Sequence, residues 1–330
     1  MIGVGIAGAG HFAAVHATAL AALPQFRLVA VSATTQERSA AFAATRGGRP
    51  VADWRHLIDD KDIDVILVTL PHHLHAEAVI AAAQVGKHVI VEKPMAPTLA
   101  ECRAMQAAAT AAGTSLLVGQ LMRYVLPCQA ARAYLASGVI GRPRYGRSAM
   151  VKFWMESNRR DWHLHPETGG GMLMTAGIHA LDRLVWLMDD DVAAVAAMAA
   201  HLFHDQAVPD ADLLLLRFAA GGLGDLASVG DCDRTMWNGT ELACEGGRLL
   251  LDFDRGITLL RDGRAERLPN SAEPDWMLRG VEREWRDLDG TLTAGTKLTV
   301  APADAAHLIA VIEAARTAAT ERREVPVPAR

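Results

Sequence analysis

The sequence IGVGIAGAGHFA, at positions 2–13, predicts a strand, a tight turn and the start of a helix. Its first six residues predict a short buried strand, and a helical run follows from about Phe12 to Leu23. Gly8 allows a tight turn between them, Gly10 lets the backbone approach a pyrophosphate, and Ala13 is small enough for close helix–strand packing. Because a helix start offers free N–H groups and positive dipole to phosphate, the stretch predicts a dinucleotide-binding turn.

The sequence up to about residue 120 alternates predicted strands with predicted helices. Predicted strands lie at 27–32, 65–69, 87–92 and 116–118, and predicted helices at 36–46, 54–59, 74–85 and 99–112. Such alternation with short loops is typical of a doubly wound parallel sheet. The predicted class is therefore α/β, with residues 1–123 forming an N-terminal, dinucleotide-binding Rossmann domain.

The pattern changes after Tyr124 to longer strands separated by glycine-containing turns. Strands are predicted between residues 144 and 261, with helices at about 128–137, 172–188 and 304–320. Residues 124–330 are therefore predicted to form a C-terminal α+β domain on a large, mostly antiparallel sheet, serving substrate binding and oligomerisation. Helices cover one face of such a sheet, so we expect the other face to pair subunits into a homodimer or homotetramer.

Composition excludes several classes of protein. The chain has 330 residues, of which 51% are hydrophobic and 22% charged, as suits a globular protein of about two domains. Its net charge of −5 and lack of a basic run argue against a nucleic-acid partner. No apolar stretch is long enough for a membrane span. The four cysteines are scattered without a C-x-x-C pair, and Met1 leads straight into a strand, so we expect a cytoplasmic protein.

A charged pair lies at the end of the predicted strand at 87–92. Glu92 and Lys93 precede Pro94, at the carboxyl end of a strand in the parallel sheet. Ligands of open α/β sheets bind at that edge, so a charged pair there is expected to have a chemical task. A lysine can pass a proton to or from a substrate oxygen. The pair therefore predicts proton transfer beside a nucleotide cofactor.

Four motifs together resemble the glucose–fructose oxidoreductase/inositol dehydrogenase (Gfo/Idh/MocA) family. They are GAGHFAAVH at 8–16, DVILVTLPHHLH at 64–75, GKHVIVEKP at 86–94 and GGGMLMTAGIHALD at 169–182. The resemblance covers nearly the whole chain. It implies an NAD(P)-dependent oxidoreductase that acts on the CH–OH group of a sugar, cyclitol, polyol or dihydrodiol-like small molecule.

The resemblance also implies catalytic residues. Lys93 corresponds to the family's catalytic lysine and His179 to its catalytic histidine. The family often has an aspartate four residues before that histidine, and this chain has Thr175. The spacing places Thr175 and His179 on one helical face. A threonine can orient a hydroxyl but supplies no negative charge, which favours Lys93 as the main acid/base and leaves His179 as the alternative.

Cofactor contacts are expected along the loops of the first domain. With the resemblance, the expected set is Gly8, Gly10, His11, Phe12, Ser32, Ala33, Thr34, Arg38, Thr69, Leu70, Pro71, His72, His75, Glu92, Lys93 and Gln120. An NAD-preferring fold usually has an acid at the end of its second strand, where this chain has Ala33. Ser32, Thr34 and Arg38 can instead bind a 2′-phosphate, so NADP is preferred over NAD. The alternative for Arg38 is a solvated helix charge.

Several residues keep two interpretations. The resemblance places Trp162, His163 and His165 near the substrate cleft, with a contact or a structural role. Arg123 either contacts substrate or braces the hinge, and Asp182 contacts substrate or braces its helix. Glu92 contacts the cofactor or is a packing acid.

The predicted functional classes also include alternatives. His72, His73 and His75 lack converging ligands from a second segment, so no metal is expected, and the resemblance places His75 near the nicotinamide ribose.

The preferred reaction is hydride transfer, with the substrate expected between the two domains. The rivals are an NAD-dependent glycosidase with an internal redox cycle, a non-catalytic dinucleotide-binding regulator, and a lyase or decarboxylase.

Overall fold

The structure is a computed structural model that describes residues 1–253, 255–269 and 271–330. It divides into two compact units, one of residues 1–121 and 277–306 and the other of residues 122–276 and 307–330. The predicted domain boundary at 123/124 differs from this division mainly at 277–306, a segment that joins the first unit. No helix in the described ranges is both long enough and apolar enough to span a membrane.

The first unit contains a six-stranded parallel sheet in the order β3-β2-β1-β4-β5-β6. The strands are β1 (Ile2–Ala7), β2 (Phe26–Ser32), β3 (Arg49–Val51), β4 (Val65–Val68), β5 (His88–Glu92) and β6 (Leu116–Gly119). The helices between them are α1 (His11–Ala21), α2 (Gln36–Arg46), α3 (Arg55–Ile58), α4 (His75–Gln84) and α5 (Leu99–Ala112). The order reverses between β1 and β4, as expected of a Rossmann domain, and confirms the predicted parallel sheet.

Local sequence explains how these elements begin and end. Thr98 and Glu101 form a reciprocal capping box at the start of α5, and Gly113 ends that helix with φ 66°. The buried strands β4 and β5 are near-continuous apolar runs, because helices cover both faces of a parallel sheet. The predicted bounds of α5 agree with the structure for this reason.

The second unit is built on a nine-stranded sheet in the order β14-β13-β12-β11-β7-β10-β9-β8-β15. Its strands are β7 (Pro143–Phe153), β8 (Val192–Ala200), β9 (Ala211–Phe218), β10 (Leu223–Asp231), β11 (Trp237–Cys244), β12 (Gly247–Asp252), β13 (Gly256–Arg261), β14 (Arg264–Arg267) and β15 (Val325–Pro326). All pairings are antiparallel except β7 with β10, which confirms the mostly antiparallel sheet.

Helices cover one face of this second sheet. They are α6 (Leu126–Ala136) and α7 (Ile178–Met188). Two further helices follow the last long strands: α8 (Trp276–Ala294), nearly all of which belongs to the first unit, and α9 (Pro302–Glu321). Leu184 of α7 approaches so closely that a Cβ at Gly146 would lie 2.6 Å from its Cδ1 atom. The other face exposes Leu213 and Leu215 of β9, which alternate with the buried Leu214 and Leu216. The sheet thus has one covered and one apolar exposed face.

Helix α8 is not among the predicted elements. Its buried residues Val281, Trp285 and Leu288 recur at the i, i+4, i+7 spacing of an amphipathic helix. That spacing is the signal that could have located it. Gly280 and Gly290 lie within the helix and weaken its intrinsic propensity, so packing of the apolar stripe supports it.

Candidate active site

The strand ends next to the expected cofactor residues form a single row across the sheet of the first unit. Ser32, Ala7, Val68 and Val91 are successive register partners on β2, β1, β4 and β5, and Glu92 pairs with Gly119 on β6. The chain leaves the sheet just beyond each of these positions. The fold therefore brings the loops after β1, β2, β4, β5 and β6 to the same carboxyl edge, at which ligands of open α/β sheets bind.

The glycine-rich turn is held against the end of β4. The Thr69 hydroxyl lies 3.1 Å from the Ala7 carbonyl and 3.0 Å from the Gly8 carbonyl, to either of which it can donate. A Cβ at Gly8 would lie 2.7 Å from the Thr69 carbonyl oxygen, and its φ is 107°, so the position requires glycine. A Cβ at Gly10 would meet no described atom within 4 Å.

Helix α1 starts with no side-chain cap at Gly10. Its first N–H groups and positive dipole are therefore available to an anion, and the open space above Gly10 lets that anion approach. His11 is exposed and Phe12 half-buried at this end of the helix. The turn fits the pyrophosphate of a dinucleotide.

The loop after β2 carries hydroxyl groups and a cation. Ser32 is buried, Ala33 half-buried, and Thr34 and Arg38 are exposed. The Arg38 guanidinium donates to the Thr34 hydroxyl at 3.2 Å, so its charge is held beside the end of β2. Glu37 is also exposed here, and hydrogen bonds from the backbone and from Thr35 lower the pKa of its carboxyl group.

The histidines after β4 separate into two kinds. His72 and His75 are buried, with ring centroids 5.7 Å apart, and His73 is exposed. The His75 nitrogens lie 2.8 Å from the Leu70 carbonyl and 2.9 Å from the Pro94 carbonyl. Burial lowers the pKa of His75, and the two carbonyls oppose this effect. His75 therefore ties the loop after β4 to the loop after β5.

The end of β5 is braced from both sides. One carboxylate oxygen of Glu92 accepts the Lys93 backbone N–H at 3.2 Å, and the other lies 2.9 Å from Nε2 of His16. Glu92 is buried, Lys93 is half-buried, and the Lys93–Pro94 peptide is cis. These contacts correspond to the packing alternative for Glu92.

Gln120 follows β6 at the same edge. Its side chain is fully buried, and neither amide atom has a hydrogen-bond partner within the described residues. A buried amide without partners is costly and requires a specific explanation. The structure thus places Gln120 at the edge where cofactor contacts are expected, with no exposed surface of its own.

In the second unit, the Gly169–Gly171 segment packs against the predicted cleft residues. The rings of Trp162 and His163 stack with centroids 3.6 Å apart and an interplanar angle of 22°. A Cβ at Gly169 would lie 2.3 Å from the Trp162 carbonyl oxygen, so only glycine fits. His165 accepts the backbone N–H groups of Gly169 and Gly170 through its carbonyl, at 3.0 and 2.9 Å.

Thr175 and His179 lie on two different kinds of helix. The predicted helix at 172–188 is observed as a π-helical segment, Leu173–Gly177, followed by α7. Thr175 and His179 are both half-buried, and the residues on either side of each are buried. Short π-helical segments recur at functional sites, where they re-aim side chains. The correction to the predicted continuous α-helix therefore falls at the expected catalytic position.

Arg123 and Asp182 form a buried ion pair. The Arg123 guanidinium lies 2.7 Å from Oδ1 of Asp182, and the Arg123 side chain is 2% exposed. The guanidinium also lies 5.8 Å from the centroid of the Trp186 ring. These contacts tie the chain after β6 to helix α7 within the second unit.

The structure also brings in residues that the motifs did not indicate. Trp285 of α8 donates its indole N–H to Nδ1 of His16 at 3.0 Å, and Glu284 is fully buried beside Glu92. Their sequence separation from the N-terminal motifs is the reason that local patterns do not reveal them.

A parallel sheet in this strand order, with a glycine-rich turn at its switch point, defines a dinucleotide-binding protein with a Rossmann domain. Family models agree: residues 2–120 match the Gfo/Idh/MocA oxidoreductase family with its NAD-binding Rossmann fold, and residues 128–250 match a Gfo/Idh/MocA C-terminal domain. The chain belongs to the Gfo/Idh/MocA family and is an NAD(P)-dependent oxidoreductase of the dehydrogenase/reductase type.

Named relatives support this assignment. The chain is 32% identical over 249 residues to 1,5-anhydro-D-fructose reductase of Ensifer adhaerens, covering 72% of this chain and 74% of the relative. It is 30% identical to inositol 2-dehydrogenase 1 of Saccharopolyspora erythraea, in an alignment that covers 81% of this chain and 77% of the relative. The solved structure of levoglucosan dehydrogenase in complex with NADH superposes with a TM-score of 0.90 at 25% identity, covering 99% of each chain.

Proposed function

We propose that this chain transfers a hydride between a nicotinamide cofactor and the carbinol carbon of a sugar, cyclitol, polyol or dihydrodiol-like substrate. The observation that carries the proposal is the position of Lys93, half-buried at the carboxyl edge of the sheet and next to the Glu92 brace. The similar proteins named above act on 1,5-anhydro-D-fructose, inositol and levoglucosan. These are compact rings with several hydroxyl groups.

The cofactor is assigned to the five loops at the sheet edge. The start of α1 would hold the pyrophosphate, the loop after β2 the adenosine ribose, and Thr69 to Pro71, Lys93 and Gln120 the nicotinamide half. When bound, a nicotinamide dinucleotide supplies the hydride acceptor or donor. The uncapped start of α1 and the open space at Gly10 support this assignment.

Lys93 is assigned the proton transfer. Its neutral amine accepts the hydroxyl proton of the substrate in oxidation, and the resulting ammonium returns that proton in reduction. The Glu92 carboxylate and the His75 ring hold the backbone on the two sides of Lys93, so the stem of the lysine starts from a fixed position. His179 is assigned the second acid/base position, and Thr175 the orientation of the substrate hydroxyl.

Substrate recognition is assigned in part to Trp162 and His163. Their stacked rings offer an apolar face of the kind on which the C–H face of a sugar ring packs, beside polar atoms that can bind hydroxyl groups. Arg123 is assigned a bracing role through Asp182 rather than direct recognition.

NADP is the proposed preferred cofactor, with NAD as the alternative. Ala33 supplies no carboxylate to repel a 2′-phosphate, and Arg38 is held beside the end of β2 by Thr34. The Glu37 carboxylate offsets part of this positive charge, so we expect a modest preference.

The reaction class is tested with a substrate panel. Purified protein is mixed with NADP or NAD and with inositols, anhydrosugars, aldoses or dihydrodiols, and cofactor reduction is followed at its absorbance band. Net reduction with at least one ring polyol is the expected result. Cleavage of a glycoside without net cofactor reduction would instead favour the glycosidase with an internal redox cycle.

A further inference from the structure

Three side chains with ionisable groups meet behind the Glu92–Lys93 turn, inside the first unit. They are His16 of α1, Glu92 of β5 and Glu284 of α8, whose nearest ligand-type atoms all lie within 4.8 Å of one another. His16 and Glu284 are fully buried and Glu92 is 7% exposed. A Cβ at Gly119 would lie 3.0 Å from Oε1 of Glu92 and 3.4 Å from Oε1 of Glu284, so both carboxyl groups close over this glycine.

The contacts of His16 determine its tautomer. An indole N–H is a donor only, so the 3.0 Å contact from Trp285 makes Nδ1 of His16 an acceptor. A neutral imidazole then carries its proton on Nε2, which donates to Glu92 at 2.9 Å. Nε2 is therefore not available to coordinate a metal, because a metal ligand must have lost that proton.

Glu284 differs from its buried neighbours. Neither of its carboxyl oxygens has a hydrogen-bond partner among the described residues, although the side chain is fully buried. An isolated buried carboxylate costs much more than a buried neutral acid, so such a group keeps its proton. Burial, the Glu92 carboxylate and the Asp287 carboxylate, in that order, raise the pKa of Glu284 well above its ordinary range.

We infer that Glu284 is a neutral carboxylic acid in the folded protein and a positioning residue for the Glu92–Lys93 turn. The pair of Glu92 and Glu284 then carries one negative charge, located on Glu92. The groups that face Glu284 are His16 from α1, Glu92 from β5 and Asp287 one turn further along α8, which accepts from Thr299.

A single charge is what the turn requires. Glu92 uses its two oxygens for His16 and for the Lys93 N–H, and a second carboxylate at this distance would repel it from both. With Glu284 neutral, the carboxyl group packs over Gly119 and leaves these two contacts intact. The effect on catalysis rests on the proposed role of Lys93, whereas the protonation state does not.

The protonation state is tested by stability against pH. Unfolded glutamate has a pKa near 4.3, so a folded neutral Glu284 takes up a proton on folding at higher pH. Between pH 5.5 and 8, we expect the folding constant of wild type relative to Glu284→Gln to fall as pH rises. The limiting slope, while folded Glu284 keeps its proton, is about ten-fold per pH unit, or about 1.4 kcal/mol. Glu284→Leu provides a second neutral variant if Glu284→Gln folds poorly.

Glu282→Gln is the matched control. Glu282 lies on the same helix and is also buried, but Arg279 and Arg286 pair with it at 3.0 and 3.4 Å. The folding constant of wild type relative to Glu282→Gln should not fall with rising pH. A flat ratio for both Glu284 variants across the same range would overturn the proposal.

Two measurements separate a neutral acid from a metal site. The infrared difference spectrum of wild type minus Glu284→Gln should contain the C=O stretching band of a protonated carboxylic acid. Stoichiometric binding of added Zn²⁺ by wild type, lost in Glu284→Gln, would overturn the inference. Neither measurement uses a substrate, so both stay decisive if the proposed reaction fails.

Positioning is tested by turnover once a substrate is known. Glu284→Ala removes the packing over Gly119, and we expect kcat to fall about ten- to a hundred-fold, as misplacement of a reacting group can cause. Glu284→Gln should stay within about three-fold of wild type, because a neutral side chain of the same shape replaces the acid. The Kd for NADP should change little in either variant. Equal turnover in Glu284→Ala and wild type would contradict the positioning role.

Discussion

The Arg123 guanidinium and the Asp182 carboxylate form a buried ion pair with a separation of 2.7 Å. Arg123 lies in a short 3₁₀ segment, Leu121–Tyr124, and Asp182 lies in α7. Both side chains are almost fully shielded from water, at 2% and 0% exposure. The energetic consequence of such a pair is asymmetric, because losing one partner leaves the other charge buried and uncompensated.

The first prediction concerns this pair. Asp182→Ala should lower the free energy of unfolding by about 3–5 kcal/mol, because it leaves the Arg123 charge buried. The double variant Arg123→Met/Asp182→Leu should recover most of that loss. Urea unfolding at pH 7 measures both. The control is Glu324→Ala, which breaks the exposed pair of Arg217 and Glu324 and should cost under about 1 kcal/mol. Equal losses for Asp182→Ala and Glu324→Ala would contradict the bracing role.

The second prediction concerns the proton-transfer residue. Lys93→Met keeps the apolar stem but removes the amine, so turnover should fall by about 10²–10⁴ while cofactor affinity stays within a few fold. His179→Asn should cost less than Lys93→Met if the lysine is the main base, and Thr175→Ala should cost least. Steady-state measurements of kcat for the three variants test this order. Lys61→Met is the control, because Lys61 is exposed and outside the sheet edge. Wild-type turnover in Lys93→Met would remove the basis of the proposed function.

The third prediction concerns cofactor choice. Ala33→Asp places a carboxylate where a 2′-phosphate would bind, so it should weaken NADP binding at least ten-fold and strengthen NAD binding. Titration of wild type and variant with both cofactors measures this. Ala41→Asp adds the same charge to an exposed position on α2 and should leave the ratio of the two affinities unchanged. Wild-type binding of NAD ten times tighter than NADP would refute the preference.

The fourth prediction concerns the exposed face of the second sheet. Met198, Leu213 and Leu215 are 74%, 52% and 64% exposed, and Met198 is the register partner of Leu213. We expect this face to bind a second copy of the chain, because a large exposed apolar patch is typical of an interface. Light scattering should give a dimer or tetramer for wild type and about 35 kDa for Leu215→Lys. Val85→Lys, on an exposed residue of the first unit, is the control. A monomeric wild type would exclude this interface.

The fifth prediction concerns Asp212 of β9. Burial raises its pKa to about 7 from an ordinary 3.8, with Arg316 opposing and Asp210 adding to the shift. A raised pKa means that the folded state binds the proton more tightly, so the stabilisation is present below pH 4 and lost as pH rises through 7. The free energy of unfolding of wild type, relative to that of Asp212→Asn, should therefore fall by a few kcal/mol over that interval. Each unit of difference between the folded and unfolded pKa contributes about 1.4 kcal/mol. Asp262→Asn, at an exposed turn, is the control, and the same comparison should show no such pH-dependent loss.

Sequence patterns predicted those helices and strands whose ends are fixed by residues close to them in the chain. The capping box and terminal glycine of α5 lie within the helix and next to it, and the predicted bounds agree with the structure. The helix predicted at 172–188 begins instead with the π-helical segment Leu173–Gly177, in which Gly177 packs tightly against Ser228 of β10. No 3.6-residue pattern distinguishes these two conformations.

The Rossmann sheet, the glycine-rich turn and the position of Lys93 at a strand end could all be predicted from the sequence. Each follows from a short pattern, since strand and helix periods and the freedom of Gly8 act over a few residues. Tertiary structure alone decided that α8 returns to the first unit, that Trp285 contacts His16 across 269 residues, and that Glu284 is buried against Glu92. Such contacts depend on which apolar faces pack together, and residues far apart in the chain carry no local signal of their pairing.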